Sequence, residues 1–146
     1  MDIKIRTAVP GDLEGIYSVE KECFSDPWSK NTLSDLIGSD KSYMLIAMYE
    51  DTIIGFANYM LFYDEVNITN IGVLKQYRRM GIGSILLSSL IDNALKDGYS
   101  SMTLEVRTSN TAAKNLYNRF GFVTEGIRKK YYIDNNEDAE IMWLRK

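Results

Sequence analysis

Residues 77–87 read YRRMGIGSILL: two arginines, then Gly-Ile-Gly, then apolar residues at helical spacing. A helix start exposes unpaired backbone N–H groups and carries partial positive charge. Glycine lets a ligand approach that backbone closely, so the stretch could cradle a phosphate or pyrophosphate, with Arg78 and Arg79 adding charge. An ordinary tight loop from strand to helix, with solvated arginines, fits the same residues. A Walker A loop needs G-x-x-x-x-G-K-[ST], and no Lys-Ser follows here. A dinucleotide-binding fingerprint needs a third glycine where Leu86 stands. The pattern that residues 78–83 do satisfy is [RQ]-x-x-G-x-[GA].

An absence limits the acid–base chemistry. The 146 residues include no histidine and a single cysteine, Cys23. That excludes Ser-His-Asp and Cys-His catalysis, His-ligated or multi-Cys zinc, and an internal disulfide. Proton transfer is left to Glu, Asp, Tyr, Lys or water. Glu105 interrupts an apolar strand pattern between Leu104 and Val106, and Tyr117 shares a helical face with Ala113, Leu116 and Phe120. By periodicity alone the first is an exposed strand residue and the second a helix-face aromatic. Trp28, in an Asp-Pro-Trp loop, and Tyr131-Tyr132, in a late basic-aromatic run, read as hydrophobic packing or as walls of a groove. Cys23 reads as a buried apolar residue.

These residues need elements to position them. Residues 3–6 alternate as a first strand; Asp12 is a candidate N-cap for a helix carrying Leu13, Ile16, Tyr17, Glu20 and Phe24. Ser29 caps a second, short helix that stops at Gly38. Residues 43–49, 53–63 and 66–74 form strands joined by turns too short for crossovers, hence an antiparallel meander. Residues 81–96 are helical, with Ile85, Leu86, Leu90, Ile91 and Leu95 on one side. A strand at 101–106, a helix at 110–120, and strands at 122–124, 127–133 and 139–144 complete the chain. Strand–helix–strand around the glycines implies a parallel, right-handed crossover inside an otherwise antiparallel sheet. The expected class is α/β (α+β): a mixed, mostly antiparallel sheet of about seven strands, with helices on both faces and one domain over 1–146.

The apolar fraction of 45% and charged fraction of 25% suit a soluble globular domain. A net charge of -3 offers no footprint for general nucleic-acid binding. The apolar runs fall short of the ~20 residues that cross a bilayer. The N-terminal residues have no long apolar run, so no signal peptide is expected and the protein is expected in the cytoplasm.

Order and motifs together resemble the GNAT superfamily of acetyl-CoA-dependent N-acetyltransferases. Within it they are most similar to the group that acetylates the N-terminal alanine of a ribosomal protein. The likeness is carried by the 78–83 signature, by DPWS at 26–29, by LEVRTSNTAAKNLYNRFGF at 104–122, by RKKYY at 128–132 and by EDAEIM at 137–142. The resemblance implies that Arg79, Met80, Gly81, Ile82, Gly83 and Ser84, with Arg78 nearby, hold the CoA pyrophosphate. It implies that Ile71, Gly72 and Val73 pair their backbone with the pantetheine arm, and that Asn110 also contacts CoA. It makes Glu105 the catalytic base and Tyr117 the acid, and places Trp28, Tyr131 and Tyr132 in a groove for an extended protein N-terminus. Asp64, Glu65, Asp134, Glu137 and Asp138 could favour a cationic terminus. Acetyl-CoA is then the co-substrate, no metal is needed, the protein partner is a ribosomal protein, and a monomer suffices. Two other readings remain: a GNAT enzyme for a small-molecule amine, and a non-catalytic acyl-CoA-binding sensor.

Overall fold

The computed structural model describes residues 2–146. In chain order the elements are β1 (Ile3–Thr7), α1 (Leu13–Cys23), α2 (Lys30–Gly38), β2 (Ser42–Tyr49), β3 (Thr52–Phe62), β4 (Glu65–Val73), α3 (Ile82–Lys96), β5 (Ser101–Arg107), α4 (Thr111–Arg119), β6 (Val123–Tyr132) and β7 (Glu137–Arg145). The strands form one seven-stranded sheet in the order β1-β2-β3-β4-β5-β7-β6. Only β4 and β5 run parallel; every other neighbouring pair is antiparallel. The mixed, mostly antiparallel sheet expected from the sequence is therefore present, with β7 inserted between β5 and β6. No helix among the described residues is long and apolar enough to cross a membrane.

Local chemistry sets most boundaries. Ser29 caps α2 by accepting the Thr32 N–H at 3.1 Å. Asn110 caps α4 by accepting the Ala113 N–H at 3.1 Å. Asp12 does precede α1, but its carboxylate accepts the Val9 N–H at 2.8 Å and pairs with Arg6, so it caps the preceding 3-10 turn instead. Phe24, expected on the face of α1, is the extended residue that ends that helix. The two late strand pieces expected at 122–124 and 127–133 form one strand, β6, with irregular pairing at Gly126 and before Tyr132. Lys130 has φ 52 inside the second irregularity, which explains why the alternation breaks in the sequence.

Two cores flank the sheet. On one face α1 and α2 place Ile16, Val19, Leu33 and Leu36 over Met44, Ile46 and Phe56 of β2 and β3. On the other, α3 buries Ile82, Leu86, Leu87, Leu90, Ile91 and Ala94. Each such Leu or Ile stabilises the fold by roughly 1.5–3 kcal/mol. Ile85 and Leu95, expected on the buried side of α3, are 44% and 37% exposed. At about 100° per residue they fall just outside the arc that Ile82 through Ala94 define. The α1/α2 layer covers β2, β3 and the end of β4; it leaves the same face of β5, β7 and β6 open.

Candidate active site

The site is built where β4 and β5 part. They pair only at Val66 with Met102 and Asn67 with Thr103. Beyond that point β4 stays with β3 as far as Val73, and β5 stays with β7 along its whole length. The two strands therefore splay, and β4 keeps one unpaired edge. The Leu74 N–H donates to the Ile54 carbonyl at 2.8 Å. Antiparallel ladders alternate, so Gly72 turns its peptide groups to β3 while Ile71 and Val73 turn theirs to the cleft. The Val73 carbonyl is already engaged, by Arg78 Nε at 2.9 Å and by the Cys23 thiol at 3.3 Å. Gly72 matters through its missing side chain: an added Cβ would lie 3.2 Å from Cys23 Sγ and 3.4 Å from Phe24. Glycine there lets the end of α1 close onto β4.

The glycine stretch opens α3. Arg79 and Gly81 have φ 66 and φ 79, left-handed values that glycine adopts without strain. The first intrahelical bond runs from the Ile85 N–H to the Gly81 carbonyl, and no side chain caps the helix. The N–H groups of Ile82, Gly83 and Ser84 are thus left by the helix for an outside acceptor. Space above them is open: nothing lies within 4 Å of a Cβ placed on Gly81, and Gly83 would meet only Leu116 at 3.7 Å. Arg78 does not hang free beside this turn. Its guanidinium reaches back to the Val73 carbonyl and to Cys23 Sγ at 3.6 Å, fastening the loop to β4. Met80 is 52% exposed on the loop. Asn110 spends its Oδ1 on capping α4, which leaves its amide NH2 for a ligand.

Glu105 lies past the point of splay. Met102, Leu104 and Val106 of β5 face the α3 core, so Thr103 and Glu105 face the uncovered side. There Glu105 lines an open groove of about 400 Å³ with Phe62, Asn67, Thr103 and Trp143. Its carboxylate is 3.8 Å from Arg128 Nε, a loose and half-exposed pairing. Tyr117 packs its ring edge-on to Phe122, 5.9 Å between centroids. Burial, aided by nearby Tyr132, pushes its phenol up to about 12. The Tyr132 phenol is also pushed up to about 12, chiefly by burial and against the pull of Arg107, with Glu105 adding to the rise. Tyr132 thus lies within electrostatic reach of Tyr117 on one side and of Glu105 on the other.

Trp28, Tyr131 and Tyr132, expected as groove walls, are not among the residues that line this groove. Trp28 packs on the α1/α2 core, and its backbone N–H donates to buried Glu20 at 2.9 Å. Tyr131 is 47% exposed and stands edge-on to Tyr132 at 5.0 Å. The loop after α1 and the β6–β7 hairpin touch: Ser25 donates to Asp134 at 2.6 Å, and Arg107 donates to the same carboxylate at 2.9 Å while stacking 4.0 Å over the Tyr132 ring. Arg107 and Ser25 were not among the residues singled out by spacing, since each reads as polar and exposed until the chain is folded. The acidic residues divide accordingly. Asp134 and Glu137 are held by Arg107, with Glu137 also taking the Ser109 N–H; Asp138 takes Lys129 and the Lys130 N–H. These three brace the β6–β7 hairpin, so Asp64 and Glu65 alone of the five stay exposed without such pairing.

A splayed parallel pair beside a glycine-started helix with bare amides now has its counterpart in known proteins. Residues 13–122 match the Acetyltransferase (GNAT) family. The chain belongs to the GNAT acetyltransferase family. It is 38% identical over 136 residues to the [ribosomal protein bS18]-alanine N-acetyltransferase of Escherichia coli K12, covering 91% of this chain and 90% of that one. It is 36% identical over 143 residues to the enzyme of the same name from Haemophilus ducreyi, covering 96% and 98%. Its fold is similar to the crystal structure of the ribosomal-protein-S18-alanine N-acetyltransferase from Escherichia coli, with a TM-score of 0.91 and 34% identity over 99% of this chain and 94% of that one. As a GNAT protein it draws its acetyl group from acetyl-CoA. The splay, the unpaired β4 edge and the α3 start are chemically suited to a long, amide-bearing arm that ends in a pyrophosphate.

Proposed function

We propose that this acetyltransferase moves the acetyl group of acetyl-CoA to the N-terminal α-amine of a protein, and that its target is the N-terminal alanine of ribosomal protein bS18. The observation that carries the reading is the β4–β5 splay itself, with the bare amides of the α3 start beside it and Glu105 lining an open groove past it. Sequence identity to two enzymes named for bS18 alanine supports the target. The amides of Arg79 through Ser84 take the pyrophosphate, with Ile82, Gly83 and Ser84 free by helix geometry. The cleft-facing groups of Ile71 and the N–H of Val73, whose carbonyl is already engaged, pair with the pantetheine amides, as an added strand would. Asn110 offers its NH2 to the same ligand.

Transfer is direct, within one ternary complex. Glu105, itself or through one water, takes the proton that the amine loses as nitrogen bonds to the thioester carbon. Tyr117 donates to the sulfur as the carbon–sulfur bond breaks. An α-amine with a pKa of about 8 costs about 1.4 kcal/mol to deprotonate at pH 7, against about 4.6 for a lysine at ~10.4. A carboxylate base suits the first task far better than the second. Trp28, Tyr131 and Tyr132 line the path of the entering peptide.

The test is an assay with acetyl-CoA and two peptides: one Ala-initiated, one N-terminally blocked with an internal lysine. Mass spectrometry should place the acetyl group on the α-amine of the first. Acetylation confined to lysine side chains would overturn the target. Preference for small amines in competition would favour the small-molecule reading, and CoA binding without turnover the sensor.

A further inference from the structure

Glu20 is a carboxylate in the core with no cation beside it. It is 1% exposed on α1. Its Oε2 accepts the Trp28 N–H at 2.9 Å, and its Oε1 accepts the Asn70 side-chain NH2 at 3.0 Å. Asn70 is 5% exposed and sits on β4 next to Ile71, the first residue whose backbone faces the cleft. Burying an unpaired carboxylate is costly, and an apolar residue would fill the same space more cheaply. Both partners of Glu20 are donors, and a carboxylate accepts on both oxygens. One partner belongs to the loop that bears Trp28; the other belongs to the strand that meets acetyl-CoA.

We propose that Glu20 is a positioning residue: it sets the Trp28 wall of the acceptor groove in register with the β4 edge, so that an incoming amine meets the thioester. The inference rests on Trp28 serving as an acceptor wall. A second feature makes it testable by shape. Asn70 Oδ1 is buried and has no hydrogen-bond partner. Glutamine at position 20 could accept from the Trp28 N–H and donate its own amide to Asn70, once the Asn70 amide turns over. Glu20→Gln therefore keeps one hydrogen bond to each partner and preserves the registry, with only the turned Asn70 NH2 left where its unpartnered oxygen now stands. Glu20→Met keeps the volume and strands both the Trp28 N–H and the Asn70 amide.

Steady-state kinetics with an Ala-initiated peptide, direct acetyl-CoA binding and amide hydrogen exchange at Trp28 test this in the full chain. In Glu20→Met the peptide KM should rise at least tenfold, with kcat within threefold and acetyl-CoA Kd within twofold of wild type. Exchange at Trp28 should quicken at least tenfold while α1 stays protected. Glu20→Gln should return KM and exchange to within threefold of wild type. A wild-type KM in Glu20→Met, or a parallel rise in acetyl-CoA Kd, overturns the proposal. If Glu20→Met does not fold, Asn70→Ala is measured instead, and a wild-type KM there overturns it equally. Should the wild-type protein acetylate no N-terminal peptide, the functional reading fails. The exchange comparison of Glu20→Met with Glu20→Gln still decides whether Glu20 holds the Trp28 loop.

Discussion

Tyr117→Phe removes one hydroxyl and leaves the ring in its place against Phe122. The phenol it removes is pushed up to about 12 by burial. A free thiol titrates near ~8.5, so complete proton transfer from Tyr117 to such a thiolate is uphill by about 3.5 pKa units, or about 4.8 kcal/mol. The same dry surroundings raise the basicity of the sulfur, because burial disfavours its charged form as well. The phenol thus acts first as a hydrogen-bond donor to charge developing on sulfur, and the proton follows late. A hydrogen bond to a charged partner is worth roughly 1.5–3 kcal/mol, which converts to a loss of about 10- to 150-fold in kcat. The assay is release of free CoA thiol under saturating acetyl-CoA and peptide, with acetyl-CoA affinity measured separately and expected within threefold of wild type. A phenol near 12 also imposes no alkaline limb of its own. In wild type, kcat/KM should climb as the α-amine deprotonates near ~8 and then stay level to about pH 10.5. A wild-type rate in Tyr117→Phe would refute the role. A falling limb near pH 10 that the substitution abolishes would refute the burial argument.

Glu105→Gln keeps the shape of the groove and removes the base; kcat should fall by about 10²–10⁴-fold with acetyl-CoA binding unchanged, and a full rate would sink the assignment. Gly81→Ala puts a Cβ on a residue at φ 79, where nothing obstructs it but the backbone itself is strained. That strain is worth roughly 1–2 kcal/mol, so the Tm should drop by about 2–8 °C in scanning calorimetry, and an unchanged Tm would contradict it. The hairpin should also respond to acid. Asp134 is held below the usual carboxylate range by Ser25 and Arg107, Glu137 by Ser109, and Asp138 by the Lys130 N–H and Lys129. Each folded pKa lies under its unfolded value, so the stabilisation is whole above the unfolded value and fades as pH falls through the folded one. Exchange in β6 and β7, corrected for its intrinsic pH dependence, should quicken selectively below about pH 4; uniform loosening of the whole sheet would refute it.

Elements with chemical punctuation were legible before folding. Ser29 and Asn110 cap the helices they were expected to begin. The turns 50–51 and 64–65 announced the meander. The placement of β7 between β5 and β6 was not legible, because strand order depends on long-range pairing with no local signature. The glycine turn was visible as a helix start with bare amides, but Arg78 could not be separated from Arg79 by spacing; its use as a tie to Val73 depends on β4 and α1 arriving at the same place. Alternation correctly turned Glu105 away from the apolar side of β5. It could not reveal that α1 and α2 stop short of β5, and that omission is what converts an outward carboxylate into one lining a groove.

One residue hides the rest of the design. The register of β3 and β4 slips between Asn58 and Tyr59, leaving Thr69 as the extra residue of a bulge. Before it, Val66 and Ile68 point to the α3 core; after it, Ile71 and Val73 join that core instead. A slip of one residue exchanges the faces of a strand. Here it sends Asn70 and Gly72 to the α1 side, where one meets Glu20 and the other admits Cys23. The bulge is secured from within the sheet, since the Asn58 amide donates to Thr69 Oγ1 at 2.9 Å while Ser42 satisfies the Asn58 oxygen at 2.7 Å. In sequence the bulge leaves one trace: Thr69 and Asn70 put two polar residues together, and the apolar positions move from 66 and 68 to 71 and 73, although burial itself alternates evenly because past the bulge both faces of β4 are covered. Without the extra residue, Asn70 would enter an apolar core, Ile71 would collide with the end of α1, and the buried carboxylate of Glu20 would lose its partner on β4. The unpaired edge of β4, the close approach of α1 and the anchoring of the Trp28 loop therefore trace to the same inserted residue.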